Sequence, residues 1–257
     1  MISILMACYK SNFEYLKSQI DSIINQTIPN WELLIHPDNE EGEVDNGRLR
    51  VFVEQYRDSR IKFVFGGHLG YAKAYNLLLK EAKGEYVCFC DHDDIWEPDK
   101  LEVEKKYLDE HPEVDCVFGW LKWFGEKNKL ESFSISDEQI SKDLYFYQPI
   151  KQPTTMFRRN RFSGFDAPFD AAADFWFWAK HKDRHYHLIE KVLVNYRRHA
   201  GEATKDKKAF RINSARVIQK NLKDRFGFDM PLDSCRILDR YSDIYNDDVK
   251  RLVESLL

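Results

Sequence analysis

The sequence predicts an α/β fold: a Rossmann-like, mostly parallel sheet with helices on both faces, followed by a C-terminal helical extension. Three observations predict it. Four short apolar runs, at 2–7, 31–35, 61–65 and 86–90, alternate with segments of helical period, the pattern of right-handed βαβ crossovers. The fourth run stops in three carboxylates, Asp91, Asp93 and Asp94, which is how a buried strand ends at the ligand edge of an open α/β sheet. From Lys205 onward the chain turns basic and helical, with only Asp206 and Asp224 opposing eight cations up to Arg225.

Each element follows from its residues. Ile2 to Ala7, apolar apart from Ser3, reads as a buried first strand, leading into the polar turn Cys8-Tyr9-Lys10-Ser11-Asn12. Leu16, Ile20, Ile23 and Ile24 share one helical face, so a helix spans about Glu14 to Gln26, and Pro29 lies beyond its end. Trp31 to Ile35 is the second strand, ending in His36-Pro37-Asp38-Asn39. A weakly periodic segment from Arg48 to Tyr56 reads as a helix, Ile61 to Phe65 as the third strand, and Gly66 to Gly70 as a loop before a helix from about Tyr71 to Ala82.

Tyr86 to Cys90 is too short for a helix and rich in strand formers. A helix from about Asp99 to Glu110 follows. Val114 to Phe118 reads as a strand, Leu121 to Phe124 as a segment pairing back across the sheet, and Pro153 to Phe157 as extended. Ala171 to Lys182 is a helix with Asp174 in its first turn; His185 to Glu190 and Val192 to Tyr196 read as two short strands. Phe210, Val217, Ile218, Leu222 and Phe226 give the basic segment one apolar helical face. Gly227 to Cys235 breaks it, and a last helix is expected from about Arg236 to Leu257.

Composition narrows the class. With 43% hydrophobic residues in 257 the chain can bury a full core, and a net charge of −4 argues against general nucleic-acid binding. Five cysteines, mostly inside apolar strands, read as reduced core residues of a cytoplasmic protein. Cys88 and Cys90 share a strand face, yet no second pair at zinc spacing follows. The start, Met1 to Met6, lacks the basic flank of a signal peptide, and no run is apolar long enough to span a bilayer.

The acidic turn carries the chemistry. Clustered carboxylates repel, and a cation relieves them. Oxygen-only ligands with open positions suit Mn²⁺ or Mg²⁺, which also hold phosphate oxygens. The alternative is an acidic turn before a helix, with Asp94 or Asp99 as N-cap and Pro98 in the first turn.

In their order, these pieces resemble the inverting, GT-A-fold glycosyltransferases of family 2. Ile4 to Lys10 looks like the family's opening strand and turn. Ile23-Ile24-Asn25-Gln26-Thr27 with Trp31 to Ile35 is similar to its first helix end and second strand. Gly70, Ala74 and Asn76, then Gly84-Glu85-Tyr86, resemble its third loop and fourth strand. Asp91-His92-Asp93-Asp94-Ile95-Trp96 looks like the Asp-Gln-Asp-Asp-x-Trp form of one branch, which includes rhamnosyl- and hexosyltransferases. Gly164-Phe165-Asp166 leading to Asp174, and Tyr196-Arg197-Arg198-His199, are similar to the acceptor-side half. The resemblance covers 1–204, taken as the glycosyltransferase domain, and leaves 205–257 as a helical extension.

What the resemblance implies is specific. Asp38 would read the donor's base, most often uracil, with Ala7 and Tyr9 beside it. Asp91 would hold the ribose or sugar side, and Asn76, His92 and Arg198 would complete the donor site. Asp93 would ligate Mn²⁺ or Mg²⁺ at the diphosphate, with His199 near the metal. Asp174 would be the general base. The partners would be a nucleotide-sugar donor, UDP- or dTDP-linked, and a glycan or lipid-linked acceptor in cell-surface polysaccharide synthesis. The sequence also departs from the family pattern. Pro37 and Asn39 stand in a strand end that usually reads Asp-Asp-Gly-Ser, Tyr75 where Arg is common, and Ala173 where Glu usually precedes the base. Asp166 and Asp170 compete with Asp174 for that role.

Two rivals remain. A sugar-phosphate nucleotidyltransferase wants a Gly-rich loop after the first strand, and 7–12 contain no Gly. A non-catalytic nucleotide-sugar-binding scaffold of a synthase complex is the reading that the altered Pro37, Tyr75 and Ala173 positions leave open. The basic helix either packs on the catalytic domain, the favoured reading, or lies on an anionic membrane at the inner face. The C-terminal helices also offer a surface for a second copy, as a homodimer.

Overall fold

The computed structural model describes residues 1–39, 43–201, 207–227 and 229–238, together with 251 and 255. The alternation read from the sequence is present as β1 (Ile2–Cys8), α1 (Phe13–Ile24), β2 (Trp31–Pro37), α2 (Glu43–Glu54), β3 (Ile61–Phe63), α3 (Tyr71–Glu81) and β4 (Tyr86–Cys90). β1 lies between β2 and β4, parallel to both, and β3 extends β2 in parallel. Asn12 caps α1 by accepting the Glu14 and Tyr15 N–H groups, so the helix starts one residue earlier than its apolar face suggests.

The second half departs from a simple parallel sheet. It comprises β5 (Ile95–Trp96), α4 (Lys100–Glu110), β6 (Cys116–Gly125), β7 (Lys129–Glu131), α5 (Asp137–Asp143), β8 (Met156–Arg158), α6 (Ala173–Lys180) and β9 (Tyr186–Arg198). The sheet order is β3-β2-β1-β4-β8-β6-β9-β5, with β7 on β6. The three-residue β8 wedges antiparallel between β4 and β6. The strand expected at 114–118 and the segment expected to pair back, Leu121 to Phe124, are one strand, β6. The two short strands expected at 185–196 are likewise one, β9. β6 and β9 run parallel, with irregularities at Gly119, Trp120 and Leu121 that absorb the break in alternation.

Alternation along the strands builds a core on each face. Ile2, Ile4 and Met6 of β1 and Tyr86, Cys88 and Cys90 of β4 pack with α1 and α4, while Leu5, Val87 and Phe89 pack with α3 and α6. Phe89 is the hub of the second face, within 5.1–6.1 Å of the rings of Tyr75, Phe157, Phe165, Phe177 and Trp178. Burying each such ring contributes about 2–3 kcal/mol.

α7 (Lys207–Phe226) and α8 (Leu232–Leu238) follow. The packing reading holds for α7: Ala215, Val217, Ile218 and Leu222 share a core with Phe146, Tyr147, Phe175 and Ala179, and Asn221 donates to the Leu144 carbonyl at 3.0 Å. α8 opens at Leu232, inside the expected break; of the expected last helix, most lies outside the described residues, as does the acidic turn at 40–42. No helix among the described residues is long and apolar enough to cross a membrane. All five cysteines are buried and free, without a metal cluster at Cys88 and Cys90.

α4 carries a fully buried ion pair. Lys100 Nζ lies 2.7 Å from Glu104 Oε2 and 4.2 Å from the Trp96 ring centre. Burial pushes the Glu104 carboxyl up to about 7, and Lys100 offsets only part of that. Lys100→Met leaves a buried acid alone and is expected to cost about 3–5 kcal/mol, whereas Lys100→Met with Glu104→Leu should recover most of it. Urea unfolding of both variants checks this; equal losses would mean that packing, not charge, sets the cost.

Candidate active site

The acidic turn leaves β4 at Cys90 and is held from both flanks. Downstream, the two-residue β5 pairs antiparallel with β9, Ile95 opposite Asn195 and Trp96 opposite Val194. That register carries the end of β9 back along 91–94. Arg197 N–H donates to Asp94 Oδ1 at 2.9 Å, Arg197 Nε donates to the Asp93 carbonyl at 2.8 Å, and His199 Nε2 stands 2.9 Å from Asp93 Oδ2. Upstream, Gln26 at the end of α1 accepts the Leu101 N–H at 3.0 Å and donates to the Glu97 carbonyl at 2.8 Å. The expected caps of α4 are therefore used elsewhere. Asp99 sits at the N-cap position without a side-chain bond to the helix and pairs with Lys191, while Asp94 faces Arg197.

The three carboxylates differ in environment. Asp93 and His199 are about one-fifth exposed, so this pair can meet a ligand from solvent. Asp94 is fully buried with Oδ2 unpartnered, and burial with the neighbouring Asp91 and Asp93 charges holds its carboxyl well above the usual range. Asp91 is pushed up to about 7 by burial, then by Asp93, then by Asp174. This is an electrostatic setting that a cation relieves, as the sequence suggests. Asp93 and His199 are the residues able to hold it. Among the described residues, no group of three or more His, Cys, Asp or Glu is arranged to hold a metal ion. One carboxylate and one imidazole suit a metal completed by diphosphate oxygens.

Asp174 enters from α6. The helix starts after Ala172, a non-glycine residue at φ 65°, a conformation of the kind found at functional turns. The Asp174 charge contributes, after burial and Asp93, to the raised Asp91 carboxyl. Burial raises the Asp174 carboxyl, against the Phe175 N–H, the Gln148 amide and the Lys151 charge. The competing acids are engaged elsewhere. Asp166 accepts from Trp176 Nε1 and Lys180 Nζ, both at 2.8 Å, and Asp170 lies against the start of α3, accepting from the Ala72 N–H at 3.4 Å.

The donor-side expectations fare unevenly. Asp38 is 4% exposed, and its carboxylate accepts the Leu69 N–H at 2.5 Å and the Gly70 N–H at 3.0 Å, with His36 Nε2 at 3.4 Å. It braces the 66–70 loop. Burial alone would raise its carboxyl, but His36 and the Leu69 N–H bring it below the usual value. Tyr9 is exposed and stacks on His68 at 5.8 Å. Burial lowers the His92 imidazole, an effect that the Asp93 charge and the Ala7 backbone at the end of β1 oppose in part. Asn76 was expected at the donor; instead its amide both donates to and accepts from the Phe165 backbone, each at 2.7 Å, and ties α3 to the segment leading to α6. Arg198 points to Trp123 and Tyr196, whereas Arg197 reaches the acidic turn, because successive side chains of a strand face opposite ways.

The departures from the family pattern have packing explanations. Tyr75 is 1% exposed, stacks on Phe165 and donates to the Cys90 carbonyl at 3.3 Å, directly before Asp91. Ala173 is fully buried, where a Glu would be costly. Pro37 ends β2 opposite Cys8.

The family model for Glycosyl transferase family 2 matches residues 3–180. The chain belongs to glycosyl transferase family 2. Among curated relatives, the UDP-Glc:alpha-D-GlcNAc-diphosphoundecaprenol beta-1,3-glucosyltransferase WfgD of Escherichia coli is 28% identical over 179 residues, covering 69% of this chain and 68% of that protein. Among solved structures, S. aureus TarS 1-349 in complex with UDP-GlcNAc has a TM-score of 0.67 at 19% identity, covering 92% of this chain and 70% of that one. The mannosyltransferase PcManGT from Pyrobaculum calidifontis, in complex with GDP-Man and Mn²⁺, has a TM-score of 0.62 at 18% identity, covering 99% and 72%. The fold is therefore the GT-A fold, and the chain is a glycosyltransferase of family 2.

Sequence reasoning missed a third wall of this family 2 site. Gln148, Lys151 and Gln152 come from the segment between α5 and β8, which the sequence leaves as polar and ambiguous. Gln148 and Lys151 act on Asp174, and Gln152 Nε2 donates to the Tyr71 hydroxyl. Short 3₁₀ turns carry no periodic signal by which to find them.

Proposed function

We propose that this chain is a metal-dependent, inverting glycosyltransferase. It moves a hexosyl or rhamnosyl unit from a UDP- or dTDP-sugar to a hydroxyl of a glycan or lipid-linked acceptor, in cell-surface polysaccharide synthesis at the cytoplasmic side. The observation that supports this reading is the pairing of His199 with Asp93 at the acidic end of β4, with Asp174 in the first turn of α6 as the candidate base. Single displacement needs a leaving-group site and a base on opposite faces of the anomeric carbon.

Asp93 and His199 would hold Mn²⁺ or Mg²⁺, which when bound supplies positive charge to the departing diphosphate. Arg197 fixes the turn that presents them, with its guanidinium sandwiched 4.2 Å from the Tyr15 ring and 4.4 Å from that of Phe124. Asp174 takes the proton of the acceptor hydroxyl as that oxygen attacks. Asp91 orients the ribose or sugar side. Support for uridine comes from the UDP-linked sugars named for the E. coli and S. aureus proteins. The outward face of α7, with Lys207, Lys208, Arg216, Lys220 and Lys223 exposed, suits peripheral contact with an anionic membrane bearing lipid-linked acceptors.

Calorimetry with UDP, dTDP, GDP and ADP, each with and without Mn²⁺, tests the reading. Tight binding of UDP or dTDP only with Mn²⁺ is expected. Metal-independent binding would remove Asp93 and His199 from the metal shell. Binding without any transfer to acceptor would favour the scaffold reading, and binding of no nucleotide would overturn the donor assignment.

A further inference from the structure

Tyr71 opens α3 and is packed in place by the rings of Tyr75 at 4.9 Å and Phe165 at 5.9 Å. Tyr75 donates to the Cys90 carbonyl directly before Asp91, and the Ala72 N–H, next after Tyr71, reaches Asp170 four residues before Asp174, so Tyr71 stands between the acidic turn and the start of α6. Gln152 Nε2 donates to that hydroxyl oxygen, so the Tyr71 hydrogen is directed away from Gln152. The other end of the same amide, Gln152 Oε1, has no hydrogen-bond partner among the described residues, although Gln152 is only 5% exposed. A buried carbonyl without a partner is costly in a native fold and calls for a role.

The location narrows that role. In a single displacement the transferred sugar lies between the diphosphate, on the Asp93 side, and the base, Asp174. A group between the acidic turn and the start of α6 therefore lines the position of that sugar. Tyr71 offers one O–H donor there and Gln152 one carbonyl acceptor beside it. A sugar hydroxyl, which donates and accepts at once, satisfies both.

We propose that Tyr71 and Gln152 form a hydroxyl-recognising wall for the sugar being transferred, with Tyr71 donating to a ring hydroxyl and Gln152 accepting from it or its neighbour. This rests on the donor and base assignments above and adds sugar-contacting residues that neither requires. It makes the pair a determinant of which sugar is accepted, since a site built to bond a hydroxyl rejects a sugar lacking it.

The test is calorimetry on the full chain with Mn²⁺ and three probes: UDP, UDP-glucose and UDP-N-acetylglucosamine. Wild type should bind at least one of the nucleotide-sugars more tightly than UDP. Tyr71→Phe and Gln152→Met should each weaken that nucleotide-sugar about tenfold while leaving UDP within about twofold, the scale of one lost hydrogen bond. Melting curves identify variants that lose the fold, and for such a variant Gln152→Glu, which keeps an acceptor but removes the donor to Tyr71, takes its place. Equal weakening of UDP and nucleotide-sugar, or no weakening of either, overturns the proposal. So does wild-type binding in which the sugar adds nothing to UDP. Failure of wild type to bind any of the three would overturn the donor assignment itself, a result distinct from an unchanged ratio in the variants.

Discussion

Asp174→Asn is expected to abolish transfer, by about a hundredfold or more in kcat, while nucleoside diphosphate binding stays intact. Asn keeps the shape of the side chain and its place in the first turn of α6 but cannot take a proton. Asp174 is distant in sequence from the Asp93–His199 pair, so donor affinity should not follow the loss. Asp166→Asn and Asp170→Asn should retain transfer, because Asp166 is paired with Lys180 and Trp176, and Asp170 rests on the start of α3. If either of these abolishes transfer and Asp174→Asn does not, the base is misplaced.

The pH profile supplies a second reading of the same residue. Burial raises the Asp174 carboxyl above its ordinary value of about 4, and the Phe175 N–H, Gln148 and Lys151 oppose that only in part. A base works deprotonated, so the rate falls as pH drops through the raised value, about tenfold per unit below it. The acid limb of kcat should therefore sit above the range of an ordinary aspartate, and removing the burden of burial should move it down. An acid limb near pH 4 would mean that the carboxylate is solvated in the working complex.

Asp93→Asn is the second large effect. It is expected to remove the Mn²⁺-dependent gain in nucleoside diphosphate binding and to cut turnover on the order of a hundredfold. His199→Ala should move in the same direction, since His199 Nε2 and Asp93 Oδ2 stand 2.9 Å apart and face the same ligand. Both side chains are partly exposed, so thermal stability should change little in either variant. Calorimetry with and without Mn²⁺ separates the two claims. Unchanged activity in Asp93→Asn would end the metal assignment, whereas lost activity with metal-independent binding would place Asp93 in catalysis by charge rather than by ligation.

Some of this molecule is readable locally. The strands of the first half are short, mostly apolar runs, with β1, β2 and β4 largely buried on both faces, and α1 and α3 show apolar stripes, because both signals depend on residues within a turn or two. The acidic turn is equally legible, since Asp91, Asp93 and Asp94 follow a strand directly. The sequence does not show what the polar side chains bond: Asn76 ties to the Phe165 backbone, and Arg197, beside Arg198, reaches the Asp93 carbonyl through the register of β9.

By itself the sequence determined the strand and helix alternation, the acidic edge, the family and the identity of the candidate acids. Only the tertiary structure decided which of them meet. The pairing of β5 with β9 brings His199 to Asp93 across 106 residues of chain, and β8, which the sequence reads only as an extended stretch, inserts between β4 and β6. The engagement of Asp166 with Trp176 and Lys180, and of Asp170 with the start of α3, depends on that assembly. The physical reason is that strand pairing and helix docking over such separations are selected by the collective burial of side chains and the closure of loops, quantities that no short window of sequence contains.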